Sequence, residues 1–188
     1  MKVLIIVDMQ NDFVTGCLGS PEAQAIVPVM EQRIKEYQGD TLVVFTKDTH
    51  YDDYMDTQEG KNLPVPHCKF MTPGWSIVKP ISSVVDWGNF MKLSTADIVN
   101  GRILKTTFGS IELAEIMRGL CTDSDVEEIV LMGVCTDICV VSNAMLLKAY
   151  CPETLITVDA SCCAGVTPER HKAALETMKS CQINVIND

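Results

Sequence analysis

The sequence predicts an α/β fold: three α/β/α layers around a six-stranded, mostly parallel sheet with helices on both faces. Three observations predict it. Short β-branched apolar runs alternate with segments of helical apolar spacing along all 188 residues. The runs are continuously apolar, as in strands covered on both faces, rather than alternating apolar and polar. No internal repeat, linker or low-complexity stretch interrupts the series, so residues 1–188 read as a single domain.

Residues 3–7, Val-Leu-Ile-Ile-Val, form the first strand. Ser20 and Pro21 then open a helix carrying Ala25, Ile26, Val29, Met30 and Ile34, with Ser suited to the cap and Pro to the first turn. Residues 41–46 are the second strand, and 102–105 a weaker third, followed by a helix near 111–120. The fourth strand, 128–132, is bounded by Gly133 and leads to a helical segment through Val141 and Leu147, with Thr136 or Asp137 placed to cap it. Cys139 then falls in the first turn of that helix. Residues 155–158 are the fifth strand, a helix runs from 168 to about 179, and 183–186 close the series. The stretch 48–100 is rich in Asp, Pro and aromatic residues, which predicts short helices and loops lining a pocket. Repeated strand–helix–strand units of one hand require a parallel sheet.

Composition narrows the function classes. At 20.7 kDa the chain suits one well-packed core. A net charge of −10 with no Lys/Arg stripe excludes nucleic acid as a partner. No run reaches the roughly 18 apolar residues of a membrane span. The apolar start ends in Asp8 and Asp12 rather than a small-residue cleavage site, so the expected location is cytoplasmic. Nine cysteines, an odd number without a CxxC pair, read mainly as small buried hydrophobes in a reducing compartment.

In a parallel α/β sheet the site lies at the carboxyl ends of the strands. Asp8 ends the first strand, Asp48 follows the second, Lys105 ends the third and Cys139 follows the fourth. A cysteine in the first turn of a helix has its thiolate stabilised by the helix dipole and free N–H groups. Asp8 can accept the thiol proton, Lys105 favours nearby anions and depresses the thiol pKa, and Cys139 attacks. Asp48-Thr49-His50 and His67 add a second constellation, holding two of the three histidines. Such donors suit Zn²⁺, Fe²⁺ or Mn²⁺. Asp52, Asp53, Asp56 and Glu59 all compete to complete the set.

The segments Val7-Asp8-Met9-Gln10-Asn11-Asp12-Phe13, Lys47-Asp48-Thr49-His50, Pro66-His67-Cys68, Lys105-Thr106-Thr107-Phe108 and 133–140 (Gly-Val-Cys-Thr-Asp-Ile-Cys-Val) occur in order across nearly the whole chain. Together they resemble the isochorismatase-like cysteine hydrolases, most closely the nicotinamidase branch. The resemblance implies strand order 3-2-1-4-5-6 and hydrolysis of nicotinamide to nicotinate and ammonia through a thioester. It implies Cys139 as nucleophile, Asp8 as general acid/base and Lys105 as third member. A cis peptide at Val134–Cys135 would aim the N–H groups of Cys135 and Cys139 at the oxyanion. It also implies one divalent metal ion, zinc first, on Asp48, His50, Glu59 and His67, and a dimer or tetramer. Two departures stand out. Pro64 occupies a position where the branch carries a stacking aromatic, leaving Phe13, Trp75 or Phe108 to supply a ring face. Cys135 replaces a small residue such as Ala, which makes a redox pair with Cys139 conceivable. Another small amide, such as an N-carbamoyl compound or ureide, is the alternative substrate; an inert binding protein retaining the fold is the alternative class.

Overall fold

The first apolar run becomes β1 (Lys2–Val7), and its residues Val3 to Val7 are wholly buried because it lies at the centre of the sheet. The structure, a computed structural model, describes residues 1–37, 39, 41–85 and 101–188. β1 pairs in parallel with β2 (Thr41–Asp48) on one side and β4 (Glu128–Val134) on the other. β3 (Arg102–Lys105) lies outside β2; β5 (Leu155–Ala164) and then β6 (Asn184–Ile186) lie outside β4. The order β3-β2-β1-β4-β5-β6 is the expected one, and every pairing is parallel. The direction of strand progression reverses between β1 and β4, so the switch point lies at their carboxyl ends.

Side-chain alternation along the central strands builds two apolar layers. Val3, Ile5, Val7, Ile129 and Leu131 join one, with residues of α5 (Ile111–Asp123), α6 (Val141–Tyr150) and α7 (Pro168–Ser180). Leu4, Ile6, Val130 and Met132 join the other, against α2 (Pro21–Glu36). Ser20 caps α2 by accepting from Ala23 N–H at 3.0 Å. The stripe that α2 buries is Ala23, Ile26, Met30 and Ile34; Ala25 and Val29, expected on it, are exposed. The sequence period allows either choice, and packing on the sheet selects one.

The strands outrun their apolar cores. β2 continues through Lys47 and Asp48, and β5 through Asp159 to Ala164. Asp159 is tolerated there because Arg33 Nε sits 3.0 Å from Oδ2 while Ser161 Oγ and Asn187 Nδ2 donate to Oδ1. Gly133 is required where β4 passes β1: its φ is +132°, and a Cβ would lie 2.0 Å from the Val7 carbonyl oxygen.

Thr136 and Asp137 do not cap a helix. They belong to one π-helical turn, Thr136–Val140, that precedes α6 and carries Cys139. Thr136 Oγ1 instead meets His171 Nδ1 at 2.8 Å, and Asp137 Oδ1 accepts Val166 N–H at 2.9 Å, tying this turn to the start of α7. The peptide Val134–Cys135 just ahead is cis. The loop region after β2 contains a 3₁₀ turn (Tyr54–Asp56), α3 (Gln58–Asn62) and α4 (Lys79–Val84); α1 (Asn11–Val14) follows β1. The remainder of the predicted pocket-lining stretch, 86–100, lies outside the described residues. Among the described residues no helix is long and apolar enough to cross a membrane, and all nine cysteines are free thiols.

Candidate active site

Strand ends deliver three complementary groups into contact. Asp8 follows β1 with φ at 50°, an uncommon backbone for a non-glycine residue. A tight turn, Gln10 N–H to Asp8 O at 2.7 Å, holds it there. Its carboxylate is wholly buried; Thr46 Oγ1 donates to Oδ1 at 2.6 Å, and Lys105 Nζ lies 2.7 Å from Oδ2. The same ammonium is 3.2 Å from Asp48 Oδ1 and 3.5 Å from Cys139 Sγ. Asn143 fixes the turn that carries Cys139, donating to Cys139 O at 2.8 Å while accepting Ser110 N–H.

Burial dominates the electrostatics. It pushes the Cys139 thiol well above its ordinary value, Asp8 adds to this, and Lys105 opposes it. The direction is opposite to that expected from dipole and lysine alone, because the cost of removing an anion from water opposes what one ammonium returns. Burial also raises Asp8 against the pull of Lys105. Burial disfavours the Lys105 ammonium, but Asp8, Cys139 and Asp48 outweigh it and hold it charged.

Beside this triad stands the second constellation. Asp48, His50 and His67 offer ligand atoms that all lie within 4.8 Å of one another. His67 Nδ1 is 2.8 Å from Val65 O, which makes that nitrogen the protonated one and turns the Nε2 lone pair inward, 3.3 Å from Asp48 Oδ2. Buried His50 Nε2 faces Asp48 Oδ2 at 2.9 Å without forming a hydrogen bond. Two imidazole nitrogens and a carboxylate with their acceptor sides converging are a donor set that fits a divalent cation. Glu59 Oε1 lies outside this tight set, 3.6 Å from His50 Nε2 and 3.8 Å from His67 Nε2. Asp52 turns away to Lys69 at 2.6 Å, and Asp53 and Asp56 are exposed. Burial would raise Asp48, yet His50, His67 and Lys105 hold it far below the carboxylate range. Burial and Asp48 raise Glu59.

A cavity of about 430 Å³ opens onto both constellations. Cys135, Cys139, Asp48, Glu59 and His67 line it, with Phe13, Leu63 and Phe108 as apolar walls. Trp75, expected as a possible ring face, does not line this cavity: its Nε1 donates to Thr49 Oγ1 at 2.9 Å and its ring carries Lys47 Nζ 2.7 Å from the centroid. It serves a buried lysine whose ammonium burial and Arg102 bring down to about 7. Pro64 is exposed and does not line the cavity, whereas the preceding Leu63 does.

Several supporting residues escaped the sequence reading. Gln10 clamps β2 through its side-chain amide, Nε2 to Asp48 O and Asp48 N–H to Oε1, both at 2.8 Å. Asp12 Oδ2 accepts Cys68 N–H at 2.8 Å and so anchors the loop that carries His67. Both stand inside the Asp8–Phe13 motif, where a signal existed. Thr46 and Asn143 had none, and neither had Arg170, which lines the cavity.

The isochorismatase domain model matches residues 2–187. The chain is 28% identical to the nicotinamidase/pyrazinamidase of Mycobacterium tuberculosis over 99% of this chain and 98% of that protein. It is also similar to the crystal structure of a nicotinamidase from Bacillus subtilis (28% identity, TM-score 0.77, 98% of both chains). The pyrazinamidase of Pyrococcus horikoshii in complex with zinc matches with 26% identity and a TM-score of 0.73, covering 100% of this chain and 99% of that one.

Proposed function

The chain belongs to the isochorismatase family, and from that premise we propose that it hydrolyses nicotinamide to nicotinate and ammonia with Cys139 as nucleophile. The observation that carries the reading is Lys105 Nζ, 2.7 Å from the Asp8 carboxylate and 3.5 Å from the Cys139 sulfur, beside a cavity of small-molecule size. Relatives named nicotinamidase, matched along nearly their full length, support the substrate.

In this reading Asp8 takes the thiol proton as Cys139 sulfur attacks the amide carbon, so a high resting thiol pKa is no obstacle. A carboxylate raised by burial is a stronger base than a solvated one, which suits it to accepting the proton and returning it. The N–H groups of Cys135 and Cys139 stabilise the oxyanion. Asp8 returns the proton to the departing nitrogen, the C–N bond breaks, and ammonia leaves a thioester. Asp8 then accepts a proton from water, whose oxygen attacks the thioester; the C–S bond breaks, nicotinate forms and the thiol is restored. Lys105 holds Asp8 in place throughout. Phe13 and Phe108 bind the ring. Asp48, His50 and His67, with Glu59 beside them, would hold a divalent metal ion, which when bound supplies a Lewis-acid contact for the ring nitrogen; the zinc complex of the Pyrococcus relative supports zinc.

One observation favours a second reading, a carbamoyl compound or ureide as substrate: Pro64, where an aromatic was expected, is exposed and does not line the cavity, so no ring face comes from that position. Ammonia release from nicotinamide against a panel of carbamoyl compounds, with and without a chelator, decides between them. Nicotinamide should be the preferred substrate and lose turnover with metal; preferred release from a carbamoyl compound would replace the first reading with the second.

A further inference from the structure

Hydrolysis of a neutral amide leaves a carboxylate, so the cavity must accommodate an anion its substrate does not present. Most of its polar wall is ill suited to that, since Asp48 and Glu59 both line it. Arg170 is the one lysine or arginine among the described residues of that lining. Its guanidinium has no ion-pair partner among the described residues; the residue's hydrogen bond runs from its backbone N–H to Thr167 Oγ1 at 3.3 Å. The acid that lines the neighbouring surface with it, Asp137, is occupied with Val166 N–H at 2.9 Å.

Helix stability does not explain the residue. Arg170 stands in the first turn of α7, where the helix dipole disfavours a cation. Its position is nevertheless held. Gly165 and Val166, leading into α7, line the same cavity. The bonds Asp137–Val166 and Thr136–His171 lock the start of α7 onto the π turn that carries Cys139. The backbone that carries this exposed, unpaired guanidinium is thus tied to the turn that bears Cys139, and its side chain reaches the cavity wall.

We propose that Arg170 is a specificity-determining residue that recognises a carboxylate in this cavity, holding the acid product more tightly than the amide from which it forms. The inference rests on the amide-hydrolysis reading above. A guanidinium also offers the planar donor pair that matches a carboxylate and gains nothing comparable from a neutral amide.

Calorimetric titration of the zinc-loaded protein tests it, with two acid/amide pairs: nicotinate/nicotinamide, and benzoate/benzamide, which lacks the ring nitrogen. Wild type should prefer the acid of each pair. Arg170→Gln should weaken the acids about 3- to 5-fold, the upper end of the range of an exposed charged contact, and move the amides less than about twofold. Arg170→Glu should weaken the acids further, Arg170→Lys should retain most of the preference, and about 0.5 M salt should shrink the wild-type preference. An acid-to-amide ratio unchanged across the variants overturns the proposal. So do acid and amide affinities that fall together, which marks a packing role, and a wild type that binds neither acid. Absent nicotinamide turnover alongside a charge-dependent benzoate/benzamide ratio would remove the substrate reading and leave Arg170 as the carboxylate-recognising group.

Discussion

Replacing Lys105 with methionine, of similar length and no charge, removes the ammonium from among Asp8, Asp48 and Cys139. In the native arrangement it stands 2.7 Å from one buried carboxylate and 3.2 Å from the other. Removing one member of a buried ion pair costs about 3–5 kcal/mol, because the remaining charge is left without water or partner. That is a large share of the roughly 5–15 kcal/mol that holds a domain together. At about 2–4 °C per kcal/mol for a chain of this size, melting should fall by about 6–20 °C.

The loss should depend on pH, and the sign follows from Asp8. Its folded pKa is already raised by burial, and without Lys105 it rises further above the unfolded value of about 3.9. A group of this kind contributes stability fully present below its unfolded pKa and lost as pH rises through its folded pKa. The deficit of Lys105→Met relative to wild type should therefore be smaller near pH 5 and larger near pH 8. Urea unfolding followed by circular dichroism at the two pH values measures it. A deficit below about 1 kcal/mol at the higher pH, or one equal at both, would refute the assignment of Lys105 as the counter-ion of Asp8.

Cys139→Ala should abolish ammonia release and keep melting within about 5 °C of wild type, since a small apolar side chain replaces a buried thiol; residual turnover near wild type would remove the sulfur from the mechanism. Asp12→Ala frees Cys68 N–H and loosens the loop that carries His67, so zinc affinity should drop about 10- to 100-fold in competition with a chromophoric chelator, the usual range for an outer-shell support; unchanged affinity would show the loop is held elsewhere. Gly133→Ala sets a Cβ 2.0 Å from the Val7 carbonyl oxygen at a φ of +132°, and should cost about 3 kcal/mol or more in chemical denaturation; a cost below about 1 kcal/mol would mean the strands can part. Trp75→Phe should leave KM for the amide within about twofold while Phe13→Ala raises it severalfold, because only the second ring lines the cavity.

The parallel sheet was legible in the sequence because its strands are buried on both faces and therefore written as unbroken apolar runs. Its order matched the family resemblance. What pattern reading mishandled were polar residues inside elements: Lys47 and Asp48 in β2, Asp159 and Ser161 in β5. Lys47 and Asp159 are accommodated by tertiary partners, Trp75 and Arg33, that no local window contains. The position of Cys139 was legible, but the direction in which its surroundings push the thiol was not, because desolvation depends on what packs around a sulfur rather than on its neighbours in sequence. Thr136 and Asp137 looked like caps for the same reason: their local chemistry allows capping, while contacts with His171 and Val166 from a distant part of the chain take them up.

Register explains why so few residues suffice to assemble the site. Val7 pairs with both Thr46 and Gly133, and Asp48 pairs with Lys105. The residue after Val7 thus meets Thr46 across one ladder, and Lys105 meets Asp48 across the next. Along β2 the side chains of Thr46 and Asp48 reach Asp8 and Lys105, while Lys47 between them projects to the other face and lies over Trp75. A shift of one residue in β2 would exchange those faces, sending a lysine toward Lys105 and withdrawing both Thr46 and the carboxylate that Lys105 shares with His50 and His67. The carboxylate of Asp48 therefore ties the two constellations to a single strand register: one oxygen faces the ammonium and the other faces the imidazoles. Neither half can be displaced along β2 without the other, which is why two apparently separate motifs, forty residues or more from Cys139 and Asp8, act on one cavity.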